Sequence, residues 1–148
     1  VLGPSSPELE LQWVDVRDLC LWLVKLAETR TTGTFNVAGP TQPIAWREVL
    51  ESLRVKGAPA TTLHWATPEI LEELKISLPL AAARRRPRHM ISDAAQRVGL
   101  RYRPLADTVA ATRAWWRAQP EARRANPERW PDPAAEQRAL QRLGISGA

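Results

Sequence analysis

The sequence predicts a mixed α/β fold with several helices, a few short strands and an incomplete sheet. Two observations lead to this prediction. The apolar spacing switches repeatedly between the alternation of a strand and the period of a helix, which gives the order β-α-β-α-β-α-α-α. Three short strands are also too few for a complete doubly wound sheet, so we expect a missing partner to complete it.

The first predicted unit is a strand followed by a helix. Residues 3–7, GPSSP, are typical of a loop, and LELQWVDV (9–16) alternates over about four to six residues as a strand does. From Asp18 the apolar period becomes helical, and this helix should end near Arg30. Its apolar face is wide and consists of Leu19, Cys20, Leu23, Val24, Leu26 and Ala27.

Two further strand–helix units follow. GTFNVAGP (33–40) is a short apolar run between glycines and predicts a strand, and TTLHW (61–65) predicts another. Helical spacing predicts a helix over 46–56. Thr67 followed by Pro68 predicts a helix start, with the hydroxyl as cap and the proline in the first turn.

Residues 92–118 are predicted to be mainly helical. Residues 78–91 are typical of an irregular connection. Ser92 is expected to cap a short helix, and Gly99 is expected to end it. The longest helix should cover about 106–118.

The chain divides into a lobe at 1–118 and a tail at 119–148. Residues 119–133 contain four prolines and little apolar content, which predicts a linker. A final helix at 133–143 should close the tail.

Composition is that of a water-soluble globular protein, with 44% apolar and 25% charged residues. No apolar run approaches the roughly 20 residues that cross a bilayer, and nothing resembles a signal peptide, so we expect a cytoplasmic protein without membrane contact. The single cysteine, Cys20, excludes an internal disulfide, and we expect it to be buried as a small hydrophobic residue. The chain begins at Val1 on a loop-like stretch, and we expect further sequence to precede it.

Positive charge gathers in residues 84–124, where eleven arginines face three acidic residues, whereas residues 1–83 carry a net charge of −3. The best candidates for binding an anionic group are Arg84, Arg85, Arg86 and Arg88. Guanidinium groups match phosphate and carboxylate geometry, although a solvated loop is the simpler alternative. A GC-rich genome also explains 18 arginines beside three lysines. Nucleic acid is not expected, because only Tyr102 supplies an aromatic ring nearby.

Asp15 and Asp18 lie three residues apart where the first strand gives way to its helix. Acid–base catalysis needs a carboxyl group with a raised pKa, whereas the ordinary task of a carboxylate here is to accept N–H groups of the first helical turn. We expect Asp18 to cap the helix and Asp15 to make a polar contact at the end of the sheet. No cluster has metal-ligand spacing, and no nucleophile elbow, P-loop or Gly-x-Gly-x-x-Gly occurs. We assign no catalytic and no metal-binding residue.

Trp115 and Trp116 are adjacent within the longest predicted helix. Neighbouring helical residues point about 100° apart, so if Trp116 faces the core, Trp115 must face something else. An absent domain or a second subunit in a homodimer are the two alternatives.

Three segments in order resemble the C-terminal part of the extended short-chain dehydrogenase/reductases, the NAD-dependent epimerase/dehydratase family. WVDVRDL (13–19) is similar to the strand–helix signature of that family, and GTFNVAGP (33–40) is similar to its Gly-x-[Phe/Tyr]-Asn strand. The segment from 91 to 116 looks like its closing element, in which a short helix, a Leu-Gly-containing turn and a final helix follow each other. The resemblance covers about 10–118.

The resemblance implies the C-terminal substrate-binding lobe of a Rossmann-type enzyme. It implies NAD or NADP in the intact parent protein and none bound by this chain alone, because the Gly-rich loop and the Tyr-x-x-x-Lys pair belong to a missing N-terminal Rossmann domain. Leu11 and Gln12 stand where nucleotide-sugar enzymes of the family place an Arg-Asp pair, so the expected substrate is another small carbonyl or hydroxyl compound. The alternative is a non-catalytic module for anion binding or protein interaction that uses the 84–88 arginines.

Overall fold

The structure, a computed structural model, describes residues 1–4, 6–57, 59–76, 90–125 and 132–145. Within these ranges the chain is an α/β protein with seven helices and four short strands, which form two separate two-stranded sheets. In chain order the elements are β1 (Leu2–Pro4), β2 (Glu10–Leu11), α1 (Val16–Glu28), β3 (Ile44–Ala45), α2 (Trp46–Gly57), β4 (His64–Ala66), α3 (Pro68–Glu73), α4 (Asp93–Arg97), α5 (Leu105–Arg117), α6 (Glu121–Ala125) and α7 (Pro133–Arg142).

The first core surrounds the parallel pair β1–β4, in which Leu2 lies opposite His64. Helices α3 and α7 pack on this pair, and the buried cluster is Leu2, Ala66, Leu71, Ile76, Ala135, Ala139 and Leu140. The amide of Leu2 donates to Glu136 Oε1 of α7 at 2.8 Å, so the last helix is joined to the first strand. The predicted cap of α3 is confirmed, because Thr67 Oγ1 accepts the amide of Ile70. In α7, Asp132 Oδ1 accepts the amide of Ala134.

The second core lies between α1, α4 and the loops that follow them. Its buried residues are Trp22, Ala95 and Leu100, and Phe35, Val37, Leu19, Leu26, Val98 and Tyr102 pack against them. The Trp22 and Phe35 rings meet edge to face with centroids 5.5 Å apart. The antiparallel pair β2–β3 lies where the chain enters this region, with Leu11 opposite Ile44.

The strand predictions need correction: the strand expected within 9–16 is only Glu10–Leu11, and the one expected at 61–65 is His64–Ala66. Residues 33–40 form no strand; the only backbone hydrogen bonds that join them to described residues pair Gly39 with Trp13. The predicted loop at 3–7 begins inside β1, because β4 supplies a partner for Leu2–Pro4 from 62 residues further along the chain. Local pattern cannot reveal such a partner, and strand formation depends on having one.

The helices follow the sequence more closely. Helices α2, α3, α5 and α7 form where the spacing predicts them, with boundaries within two residues. The predicted linker at 119–133 contains the short helix α6, and the predicted connection at 78–91 lies almost wholly outside the described residues. Trp115 is 51% exposed, as its spacing predicts, and Arg123 lies over its ring at 5.3 Å.

Helix α1 is the exception, since most of its predicted apolar face is not covered. Cys20 is exposed, which corrects the prediction that it is buried. Leu23 and Val24 are at least half exposed, whereas Trp22 is buried. Among the described residues, the contacts of α1 cover only one side of this helix.

Candidate functional site

The three segments singled out by the resemblance meet in the structure. An ionic cluster, made of Asp15, Arg17, Asp18, Arg103 and Thr108, joins the start of α1 to the start of α5. A hydroxyl pair, made of Ser92 and Tyr102, joins the closing element to the carbonyl of Ala38. Residues up to 93 positions apart in sequence are thereby held within hydrogen-bond distance.

Asp15 is the centre of the ionic cluster and the N-cap of α1. Its Oδ1 accepts the backbone amide of Arg17 at 2.9 Å, and the guanidinium of Arg17 binds both carboxylate oxygens at 2.9 and 2.7 Å. Thr108 Oγ1 donates to Oδ2 at 2.8 Å. The hydrogen bonds from Arg17 hold the pKa of Asp15 well below its ordinary value, although burial opposes them.

Asp18 makes the contact across the two segments. It accepts the backbone amide of Arg103 at 2.9 Å and the Nε of the same residue at 2.7 Å. Burial raises the pKa of Asp18, but the hydrogen bonds and the charge of Arg103 outweigh it, so the pKa is lowered. The sequence-based prediction that Asp18 caps α1 is wrong. The helix begins at Val16, before Asp18, and Asp15 is its N-cap.

The chemistry of this cluster is structural. Both carboxylates are held ionised, and both are already engaged by cationic donors. A general acid needs a raised pKa and a free path to substrate, and neither aspartate offers this. The assignment of no catalytic role to either residue stays a prediction.

The hydroxyl pair closes the second contact. Ser92 stands at the N-cap position of α4, as predicted, but its hydroxyl makes no cap bond. Its oxygen lies 2.6 Å from the Ala38 carbonyl, and Tyr102 Oη lies 2.7 Å from that carbonyl and 2.7 Å from Ser92 Oγ. Two hydroxyl protons serve three close oxygen pairs, so Ala38, Ser92 and Tyr102 form one shared network. The ring of Tyr102 lies directly on Gly39, where a side-chain carbon would overlap it.

Gln12 forms a clamp that sequence reasoning missed. Its side-chain amide accepts the backbone N–H of Met90 at 2.8 Å and donates to the Met90 carbonyl at 3.1 Å. The four predicted anion-binding residues, Arg84, Arg85, Arg86 and Arg88, lie outside the described residues, and the anion-binding hypothesis stays a prediction. Met90 is two positions after the last of them, so Gln12 holds the point where the described chain resumes. Only the departure of Gln12 from the family pattern marked this position in the sequence.

An open cleft of about 540 Å³ adjoins the hydroxyl pair. This volume lies in the range of small-molecule sites. Its walls are Pro40, Thr41, Gln42, Pro43, Ile44, Glu48, Gln96, Leu100, Arg101 and Tyr102. Arg101 and the two glutamines supply donors and Glu48 supplies an acceptor, so the cleft suits a small polar molecule better than an apolar one.

Cofactor and metal sites are not evident in the described part of the chain. It contains no group of three or more His, Cys, Asp or Glu residues that could hold a metal ion. A Rossmann dinucleotide site has a Gly-rich turn at a helix N-terminus, and the sequence contains no Gly-x-Gly-x-x-Gly. That this chain alone binds no NAD or NADP stays a prediction. Within the described ranges, no helix is both long enough and apolar enough to cross a membrane.

Comparison with known proteins gives no assignment: no protein-family model matches the chain, and no significant match occurs among the curated proteins or the solved structures.

Proposed function

We propose that this chain is the substrate-binding C-terminal portion of a cytoplasmic NAD(P)-dependent oxidoreductase or epimerase of the extended short-chain dehydrogenase/reductase family. Its substrate is a small carbonyl or hydroxyl compound. The dinucleotide loop and the Tyr-x-x-x-Lys pair belong to a preceding portion of the protein. The transfers of hydride and proton therefore take place outside this chain.

One observation carries the proposal. Three sequence motifs that are each weak alone are hydrogen-bonded to one another, through Asp18 and Arg103 on one side and through Ala38 and Tyr102 on the other. Motifs that matched by chance would have no reason to meet at polar contacts. This convergence supports the interpretation of the three segments as parts of one architecture.

The chain's own contribution in this proposal is to shape and orient. The ionic cluster fixes α1 against α5, and the clamp of Gln12 on Met90 fixes the chain immediately after the 84–88 arginines. In this proposal an arginine of the 84–88 group orients an anionic or carbonyl group of the substrate without taking part in the bond changes. Catalysis then depends on this chain for positioning and for exclusion of water.

The decisive experiment begins with the reading frame upstream of Val1. We expect it to encode a Gly-rich dinucleotide loop and, further on, a Tyr-x-x-x-Lys pair. The protein expressed from that longer frame should bind NADH or NADPH, measured by quenching of protein fluorescence, and the 148-residue chain should not. A longer frame without either motif, or equal dinucleotide binding by both proteins, would falsify the proposal.

A variant of the clamp tests the assigned role within the longer protein. Gln12→Ala should raise KM for the substrate and change kcat little, because it removes positioning and no reacting group. Gln137→Ala on α7 is the matched control, since Gln137 is exposed and distant in sequence from the motifs. Equal kinetics for the two variants would remove the clamp from the substrate site.

A further inference from the structure

The cleft beside the hydroxyl pair lies between two parts of the chain that are joined by hydrogen bonds. One wall is the 40–44 segment, and the other comes from α4 and the residues that follow it. Thr41 Oγ1 donates to Gln96 Oε1 at 2.8 Å, from one wall to the other. Tyr102 Oη lies 2.7 Å from the carbonyl oxygen of Ala38, just before the first wall. These contacts hold the walls together, so the cleft is formed without a ligand.

Arg101 supplies a positive charge to this cleft and is anchored through one end of its guanidinium group. Its Nη1 donates to the carbonyls of Gln96 and Leu100 at 3.0 and 2.8 Å. A guanidinium has five N–H donors, so the edge formed by Nε and Nη2 keeps three of them. Among the described residues, Arg101 forms no ion pair with a carboxylate. The free edge matches the two oxygens of a carboxylate.

Glu48 supplies a negative charge to the same cleft from the first turn of α2. Its Oε1 accepts the backbone N–H of Ala45 at 3.1 Å, which fixes the side chain at the start of the helix. Its Oε2 receives no hydrogen bond from the described residues, and Glu48 forms no ion pair with Arg101 or with another cation among them. The cleft therefore holds two opposite charges that do not neutralise each other.

The cleft also offers apolar surface. Pro40, Pro43, Ile44 and Leu100 line it, together with the ring of Tyr102. Burial of a hydrocarbon group against such surface is favourable. A ligand with a single charge would leave one of the two charged side chains without a partner, whereas a ligand with both charges and a hydrocarbon part matches every wall.

We propose that this cleft is a binding site for a small zwitterion with a hydrocarbon part, the chemistry of a free apolar amino acid. The carboxylate of the ligand binds the Nε–Nη2 edge of Arg101, its ammonium group binds Glu48 Oε2, and its hydrocarbon part packs on the apolar wall. The volume of about 540 Å³ accommodates a molecule of this size. The inference is independent of the proposed function, because it uses neither the Gln12 clamp nor the 84–88 arginines.

The first test varies the ligand and leaves the protein unchanged. Isothermal titration calorimetry on the 148-residue chain uses two zwitterions, L-leucine, whose charged groups lie close together, and ε-aminocaproate, whose charged groups lie far apart. Each is compared with its analogue that lacks the ammonium group (isocaproate or caproate) and with its neutral amide, which lacks the carboxylate (leucinamide or ε-aminocaproamide). At least one zwitterion should bind at least about threefold more tightly than both of its analogues, since each analogue leaves one exposed charge unmatched.

The second test varies the cleft. Arg101→Gln and Glu48→Gln each remove one charge and keep a polar side chain, and each should weaken binding of the tighter zwitterion at least about threefold. Arg97→Gln and Glu28→Gln are the matched controls, since both residues are exposed and neither lines the cleft. They should leave the Kd unchanged. In Glu48→Gln, the zwitterion and its analogue without the ammonium group should bind alike, because the partner of that group is gone.

Several results would overturn the inference. It is wrong if neither zwitterion binds at about 10 mM, or if the analogues with a single charge bind as tightly as the zwitterions. It is also wrong if a zwitterion binds but Arg101→Gln and Glu48→Gln weaken it no more than the two control variants do, because the site then lies elsewhere. None of these results bears on dinucleotide binding by the longer protein, so the proposed function stands or fails separately.

Discussion

The contact between Asp18 and Arg103 offers the sharpest test of how the motif segments hold together. Asp18→Ala removes two charge-assisted hydrogen bonds, from the backbone N–H and from the Nε of Arg103, and leaves that N–H without its acceptor. The side chain of Asp18 is only 10% exposed, so water replaces the lost contacts poorly. At about 1.5 kcal/mol for each bond, the free energy of unfolding should fall by about 3 kcal/mol.

The measurement is urea unfolding of the 148-residue chain, followed by tryptophan fluorescence, with the slope required to stay constant between variants. Arg103→Ala should cost less than Asp18→Ala, because the backbone N–H of residue 103 keeps its acceptor. The two changes combined should cost less than their sum, since they share one interaction.

Arg142→Ala serves as control for the same experiment. Its bonds to Glu73 are short, but both side chains are more than half exposed, and exposed ion pairs contribute about 0–1 kcal/mol. The reasoning is refuted if Asp18→Ala costs no more than Arg142→Ala.

Three further predictions concern the same region. The pKa values of Asp15 and Asp18 are lower in the fold than their ordinary 3.8, so the unfolded chain binds more protons in acid. The free energy of unfolding should therefore hold above pH 3.8 and fall as the pH drops below it. Asp→Asn at both sites should flatten the dependence of the urea midpoint on pH between about pH 5 and pH 2. Gly39→Ala should lower the free energy of unfolding by about 2 kcal/mol, because the added methyl group overlaps the Tyr102 ring. Gly57→Ala, whose added methyl group has its nearest neighbour at 3.7 Å, should leave the free energy of unfolding unchanged in the same urea assay. Tyr102→Phe should cost about 1 kcal/mol in thermal unfolding, because it removes the hydroxyl from the shared network; an unchanged midpoint would contradict that network.

Local signals predicted the helices well, and the reason is physical. Helix α3 begins at a Thr-Pro pair and α7 at an Asp-Pro pair, and these caps act through residues two or three positions away. Helix α1 shows the limit of such signals. Asp15 and Asp18 are both residues that commonly cap helices. Which of them caps α1 depends on the residue at which the first turn begins, and the residue type alone does not specify that position.

The polar contacts of the site could not be predicted, because they join distant parts of the chain. The clamp of Gln12 on Met90 spans 78 positions, and the bond from Tyr102 to Ala38 spans 64. The resemblance marked these segments as belonging together without specifying which atoms meet. A glutamine side chain that binds both backbone groups of a distant residue leaves no pattern in a single sequence.

Two of the sequence-based errors fall on one part of the molecule, helix α1 and the segment that follows it. The strand predicted at 33–40 and the burial predicted for Cys20 both fail here, where the other described residues leave much of α1 exposed. Leu100 is the single large side chain that is fully buried among the described residues. The apolar spacing of α1 specifies a helix, but the burial of each apolar side chain depends on segments that are distant along the chain, and local spacing does not encode them.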